Sequence, residues 1–200
     1  MMGNTRSITA LMMAVLLLHF VVSFSTKTTD INTDQSTLLA LKAHVVSDPQ
    51  NFLTTNWSVY TSICNWVGVT CGSGHQRVKV LDLFNMSLSG TIPPDIGNLS
   101  FLTWLDIGYN NFQGLLPVQL TNLHRLNFIS MSDNNFYGEI SSWIGYFPKL
   151  QCLSMSNNSF TGPIPSDMCD RLPTLKELYL SDNKLSGKIP IGLFKCKVIL

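Results

Sequence analysis

Residues 99–117 read LSFLTWLDIGYNNFQGLLP, and their frame of apolar residues, asparagine, glycine and proline returns along most of the chain. In this copy the frame is Leu99, Leu102, Leu105, Ile107, Asn110, Phe112, Gly114, Leu116 and Pro117. It recurs from Leu123 with Leu126, Ile129, Met131, Asn134, Phe136, Gly138 and Ile140, and from Phe147 with Leu150, Leu153, Met155, Asn158, Phe160, Gly162, Ile164 and Pro165. A further copy runs from Leu172 through Leu175, Leu178, Leu180, Asn183, Leu185, Gly187, Ile189 and Pro190. An earlier one fits Val78, Leu81, Leu83, Leu88, Gly90, Ile92 and Pro93, with Met86 where asparagine is expected. The period is roughly 24 residues, and self-similarity at such a period marks a solenoid whose coils touch only their neighbours. Solenoids are usually binding surfaces, so the expectation moves from enzyme to recognition module.

Within each copy the chemistry changes along the coil. Leu105 and Ile107 alternate with Trp104, Asp106 and Gly108, the period-two signature of a short strand with one buried face. Asn110, Asn134, Asn158 and Asn183 follow at a turn, where an amide with donors and an acceptor can bond the backbone of adjacent coils as a ladder. Glycine and Ile/Leu-Pro at fixed offsets rule out amphipathic helices and favour an extended return path. One extra residue between Asp167 and Leu172 predicts a local bulge there.

The formal charge is +1 and charged residues make up 12% of the chain, about half the usual share, which leaves no basic field for nucleic acid. Arg6 is the only charge before Lys27, Ile8 to Val22 is almost wholly apolar, and Ser23 and Ser25 supply small residues for cleavage. That layout predicts a signal peptide over residues 1–25; the alternative is a membrane anchor, for which the run is short. Secretion makes Cys64 and Cys71 candidates for a disulfide, against two free core thiols. Cys152, Cys169 and Cys196 leave an odd count; Cys169 and Cys196 fall near one repeat apart, while Cys196 equally fits a leucine position. Sequons at Asn56, Asn85, Asn98 and Asn157 add to the expectation of an extracellular glycoprotein.

Before the repeats, a helical pattern begins near Asp34 with Leu38, Leu41 and Val45, capped by Thr33 or Asp34 and ended by Ser47-Asp-Pro. Trp57, Trp66 and the cysteine pair follow. Residues 26–74 thus read as an N-terminal cap, which keeps the first coil from exposing its leucine-filled edge, and residues 75–200 as about five repeats with a sixth begun. The expected class is an α/β repeat: a solenoid with short parallel strands on its concave face.

These residues carry a family resemblance. Asn-x-Leu-x-Gly followed by Gly-x-Ile-Pro resembles the plant-type extracellular leucine-rich repeat. The segment from Asp34 to Cys71, with Trp57 and Cys-x-Trp-x-Gly-Val-x-Cys, is similar to the N-terminal cap of plant leucine-rich-repeat receptor kinases. Departures are Met86 in the asparagine position and Leu116 and Ser141 at the Ile-Pro step. The resemblance implies an extracellular or cell-surface domain that binds a peptide or protein ligand in defence or development and recruits a co-receptor kinase of the same class. It also implies a cytoplasmic Ser/Thr kinase, for which this chain carries no motif, so the chain itself is not expected to be an enzyme. A membrane span, a closing cap and that kinase are expected beyond Leu200. Three other readings stay open: a receptor-like protein without kinase, a secreted polygalacturonase-inhibitor-like protein, and a truncated product without independent function.

No catalytic or cofactor site emerges. His19, His44, His75 and His124 have no metal-ligand spacing, and Ser186-Gly-Lys-Ile lacks the glycine and following Ser/Thr of a phosphate loop. Stacking the coils aligns Val80, Trp104, Phe128, Cys152 and Glu177 in one column and Asp82, Asp106, Ser130, Ser154 and Tyr179 in the next. Phe84, Gly108, Ser132, Ser156 and Ser181 form a third, and Asn85, Tyr109, Asp133, Asn157 and Asp182 a fourth. The expected ligand contacts are Trp104, Asp106, Tyr109, Phe128, Ser130, Glu177 and Tyr179, because exposed aromatic rings beside carboxylates suit protein docking. The alternative is that Trp104 and Phe128 pack on each other or on glycans.

Overall fold

Helix α1, Ile31–His44, opens the computed structural model, which describes residues 30–140 and 147–195. The signal segment and the Ser141 departure lie outside those residues. The helix starts three residues earlier than the apolar spacing suggests. Asp30, not Thr33 or Asp34, is the cap: its carboxylate accepts from the Thr33 N–H at 2.9 Å, and Thr33 returns the bond through its hydroxyl. Asp34 is released for another task. It is fully buried and forms a two-point ion pair with Arg77, Nη2 to Oδ1 at 2.7 Å and Nε to Oδ2 at 2.9 Å. The Val78 N–H also donates to Asp34 Oδ2, at 2.8 Å. The guanidinium of Arg77 lies over the Phe101 ring, 4.7 Å from its centre, and Arg125 lies 4.1 Å from the same centre. The cap is thereby fastened to the first two coils.

The rest of the cap is short: β1 (Val45–Ser47), α2 (Phe52–Asn56), a 3-10 turn over Ile63–Asn65, and β2 (Val69–Cys71). Helix α2 is capped by Asp48, whose carboxylate accepts from the N–H groups of Phe52, Leu53 and Thr54, each at 2.9 Å. Trp57 and Trp66 stack with centroids 5.4 Å apart, and their indole N–H groups donate to the Val67 carbonyl and the Thr61 hydroxyl. Gly68, at φ +78, brings its carbonyl to the Asp82 N–H at 2.7 Å; a Cβ there would lie 2.3 Å from the Asp82 oxygen. Cys64 and Cys71 are joined by a disulfide. Closing a loop of this length stabilises by about 2.5 kcal/mol in the chain-entropy model. A Cys64→Ser/Cys71→Ser chain is therefore expected to lose about that much in chemical denaturation and to be secreted in lower yield. An unchanged midpoint would mean that Trp57 and Trp66 hold the cap unaided.

From Val78 each coil contributes two strands. The first set, β3 (Val78–Asp82), β5 (Trp104–Asp106), β7 (Phe128–Ser130), β9 (Cys152–Ser154) and β11 (Glu177–Tyr179), forms a parallel sheet that β2 extends antiparallel at its start. The second set, β4 (Ser89–Gly90), β6 (Asn111–Gly114), β8 (Asn135–Glu139), β10 (Ser159–Pro163) and β12 (Lys184–Ser186), forms another sheet capped antiparallel by β1. The extended return path expected from glycine and proline is this second sheet. Between the sets, 3-10 turns occupy Pro94–Asn98 and Val118–Asn122. In the fourth coil the extra residue makes no strand bulge; it is taken up by a single α-turn, α3 (Met168–Arg171), which buries Met168 and Cys169. Cys169 is disulfide-bonded; Cys196, raised as its partner from spacing, lies outside the described residues.

The core is most of the frame read from the sequence; Leu116, Ile164, Leu180 and Leu185 are only partly buried, and Ile189 of the last copy is exposed. Leu81, Leu105, Ile129, Leu153 and Leu178 stack beneath the first sheet, and Phe112, Phe136 and Phe160 form a second column with ring centres 6.4 Å apart. Between them runs the asparagine ladder. Asn134 Oδ1 accepts from the Phe112 N–H at 2.9 Å, while its Nδ2 donates to the carbonyls of Ile107, Met131 and Ser132 at 2.9, 3.2 and 3.1 Å. Asn110, Asn158 and Asn183 repeat the arrangement, bonding the N–H groups of Leu88, Phe136 and Phe160. Each side chain satisfies backbone groups of two coils that the strands leave unpaired.

Candidate functional site

The outward face of the first sheet presents side chains from alternate strand positions. Its parallel register puts Val80, Trp104, Phe128, Cys152 and Glu177 in one row, and Asp82, Asp106, Ser130, Ser154 and Tyr179 in the next. Six of the seven expected contacts therefore lie in two adjacent rows. The seventh, Tyr109, sits in the turn after β5, with its ring edge-on to Phe84 at 5.1 Å.

Trp104 and Phe128 are in-register neighbours, and their rings stack face to face, 3.7 Å apart and 6° from parallel. Trp104 nevertheless remains 39% exposed. Cys152 follows Phe128 in the same row and is much smaller, so the free flank of Phe128 opens into a groove of about 480 Å³ bounded on its far side by Lys176 and Glu177. The Cys152 thiol is free and buried. Burial first, and the neighbouring Glu177 carboxylate second, push it up to about 12, so it stays protonated and unreactive at neutral pH. Lys176 Nζ donates to Gln151 Oε1 at 2.9 Å, and the Tyr179 hydroxyl donates to Glu177 at 3.4 Å.

The second row carries two adjacent carboxylates. Asp82 and Asp106 are direct partners across β3 and β5, and each accepts the N–H two residues on, from Phe84 at 3.1 Å and from Gly108 at 2.9 Å. Burial pushes the Asp106 carboxyl above the ordinary carboxylate range. Hydrogen bonds from Gly108 and Ser130 pull it back, and the charge of Asp82 adds to the upward push. Ser130 is 8% exposed, so it acts beneath the face as a donor to Asp106 and offers little surface of its own. Beside Asp82 lies a second hollow, of about 400 Å³, lined by Thr70, Val80 and Phe84. Asp82 shares the column of Asp106, Ser130 and Tyr179, whereas Phe84 falls in a column with none of the expected contacts; the register and this hollow single both out.

One backbone feature belongs to the same face. Asn85, Tyr109, Asp133, Asn157 and Asp182 occupy equivalent left-handed turns with φ between 52 and 56°. Asparagine and aspartate tolerate that conformation; a tyrosine there carries strain of roughly 1 kcal/mol. The turn places Tyr109, 55% exposed, against Phe84 at the margin of the acidic pair. Among the sequons, Asn56 and Asn85 are exposed and Asn98 is half-buried in a 3-10 turn. The Asn157 amide donates to Asp133 at 2.7 Å on this face. Among the described residues no group of His, Cys, Asp and Glu could hold a metal ion, and no helix is long and apolar enough to cross a membrane.

Known proteins match both the cap and the repeats. Residues 31–72 fit the leucine-rich-repeat N-terminal domain, and residues 77–99, 101–123, 149–170 and 174–196 fit the leucine-rich repeat. The Arabidopsis thaliana LRR receptor-like serine/threonine-protein kinase EFR is 38% identical over 99 residues, covering 50% of this chain and 10% of EFR. The chain spans a tenth or less of the length of such curated relatives. A structure of PEPR1 with AtPEP1 superposes with a TM-score of 0.75 at 34% identity, covering 81% of this chain and 23% of that one. A structure of the BIR3–SERK2 complex of Arabidopsis thaliana gives a TM-score of 0.69 at 33% identity, covering 78% and 85%. Cap, repeats and relatives agree: the chain belongs to the leucine-rich-repeat proteins, and its cap and repeats are similar to the repeat portion of plant leucine-rich-repeat receptor-like kinases.

Proposed function

We propose that this chain is part of an extracellular recognition domain that binds a secreted peptide and engages a co-receptor of the same repeat class. The observation that carries the reading is the stacked Trp104–Phe128 pair. It leaves a large aromatic surface exposed between two hollows, on a sheet face of a fold shared with structures of PEPR1–AtPEP1 and of the BIR3–SERK2 complex. Exposed, pre-stacked rings lose little entropy on binding and are the residue type that dominates interface energies. The proposed contacts are Trp104, Asp106, Tyr109, Phe128, Glu177 and Tyr179, with Ser130 holding Asp106 from below. Residues 1–25 serve as the signal peptide, and Asn56, Asn85, Asn98 and Asn157 as glycan sites on a protein placed outside the cell or on its surface. Phosphoryl transfer would come from a kinase domain outside these 200 residues.

A Trp104→Ala/Asp106→Ala chain is expected to be secreted normally and to lose at least about tenfold in affinity for a peptide that the parent chain retains from a library of secreted plant peptides. Titration by isothermal calorimetry checks this. Equal affinity in a well-folded variant would remove the outward face of the first sheet as the docking surface.

A further inference from the structure

The outward sheet face differs in charge from the molecule that carries it. The whole chain is close to neutral, with a formal charge of +1. The inner two rows of the face hold Asp82, Asp106 and Glu177 and no cation. Asp82 and Asp106 sit directly opposite each other, where like charges repel. On one side of this pair stands the Trp104–Phe128 stack, two strand positions along, and on the other the Phe84–Tyr109 pair. Asp82 lines the hollow it shares with Thr70, Val80 and Phe84, and Asp106 stands beside it on the next strand. A positive group seated at the edge of this hollow, over Asp82 and its neighbour Asp106, meets two carboxylates and the faces or edges of aromatic rings, and it relieves the repulsion between the acids.

We infer that this face selects an extended peptide with a basic side chain, arginine or lysine, which seats over Asp82 and Asp106 between the two aromatic pairs. The inference rests on the peptide-binding reading and gives that peptide its chemistry. The groove against Phe128 and Cys152 takes an apolar side chain of the same peptide. Three strand steps separate β3 from β9, about 14 Å, which an extended chain covers in about four residues. The ligand therefore carries its basic and apolar anchors about four residues apart.

The test is selection from a library of random short peptides on the secreted full chain, repeated with Asp82→Asn/Asp106→Asn and with Trp104→Ala/Phe128→Ala. Asparagine keeps the shape and the oxygen that accepts the Phe84 and Gly108 N–H groups, so the first variant folds as the parent does. The expected result is that the parent enriches peptides with Arg or Lys at one fixed position and an apolar residue about four away. The selected peptides should bind the Asp82→Asn/Asp106→Asn chain at least about tenfold more weakly, and replacing their basic residue by glutamine should produce the same loss on the parent. Peptides enriched without a basic position, or a charge preference that survives Asp82→Asn/Asp106→Asn, overturn the inference while leaving the peptide-binding face intact. Peptides that bind the Trp104→Ala/Phe128→Ala chain as tightly as the parent overturn both.

Discussion

An Asp34→Asn chain is expected to lose about 3–5 kcal/mol of stability at neutral pH, the usual result of stranding one charge of a buried pair. Asp34 is wholly buried and the Arg77 side chain is 7% exposed, so the guanidinium cannot turn to water when its partner is neutral. The Val78 N–H also exchanges a charged acceptor for a neutral one. The loss falls at the junction of cap and first coil, because Arg77 reaches from α1 to the ring of Phe101. Urea denaturation followed by the fluorescence of the stacked Trp57 and Trp66 reads it out. An Asp34→Leu/Arg77→Met chain, which replaces the pair with apolar groups, should recover most of the loss, since it removes the buried positive charge together with the carboxylate that balances it. A single-variant cost under about 1 kcal/mol would show that water reaches the pair.

Asn134→Ala should be comparably damaging, at about 3 kcal/mol or more, although it removes only a neutral amide. The amide accepts from Phe112 N–H and donates to three carbonyls, and alanine can replace none of these bonds. Each buried backbone group left unpaired costs about 1–3 kcal/mol. Asn134 is 8% exposed, whereas Asn183 in the same ladder is only half-buried, so water can substitute there. Asn183→Ala should therefore cost clearly less than Asn134→Ala in the same denaturation assay. Equal losses would mean that side-chain volume, not the stranded backbone, sets the penalty.

The ladder is the part of the fold most legible in the sequence. An asparagine at the same offset in four coils, always before an apolar residue and a glycine, has few physical uses other than satisfying backbone at a repeated turn. Met86 breaks that offset in the first coil, and Leu88 is served from Asn110 of the next coil. The cap helix was less legible. Its apolar spacing begins at Leu38, but its true start is set by Asp30 and Thr33, and Asp34 looked like a cap because aspartate commonly is one. Nothing local marks Asp34 as half of a buried pair whose other half lies 43 residues away.

The outward face of the first sheet shows the same division. Column positions followed from the repeat, and they brought Trp104, Asp106, Phe128, Glu177 and Tyr179 together as expected residues. What each does there depended on its neighbour across the strands. Ser130 sinks beneath Asp106, Trp104 and Phe128 spend a ring face on each other, and the small Cys152 opens a groove.

The sequence by itself determined the period, the buried frame, the asparagine ladder and the side of each strand that faces out, because all of these follow from residue spacing within one coil. Tertiary structure alone decided how the cap is fastened, which aromatic rings remain open, and that Asp106 stands beside Asp82 at the edge of a hollow. Those features are sums over neighbouring coils and over residues far apart in the chain. Only the stacked register, with strands about 4.8 Å apart, brings their charges and ring faces within range of one another.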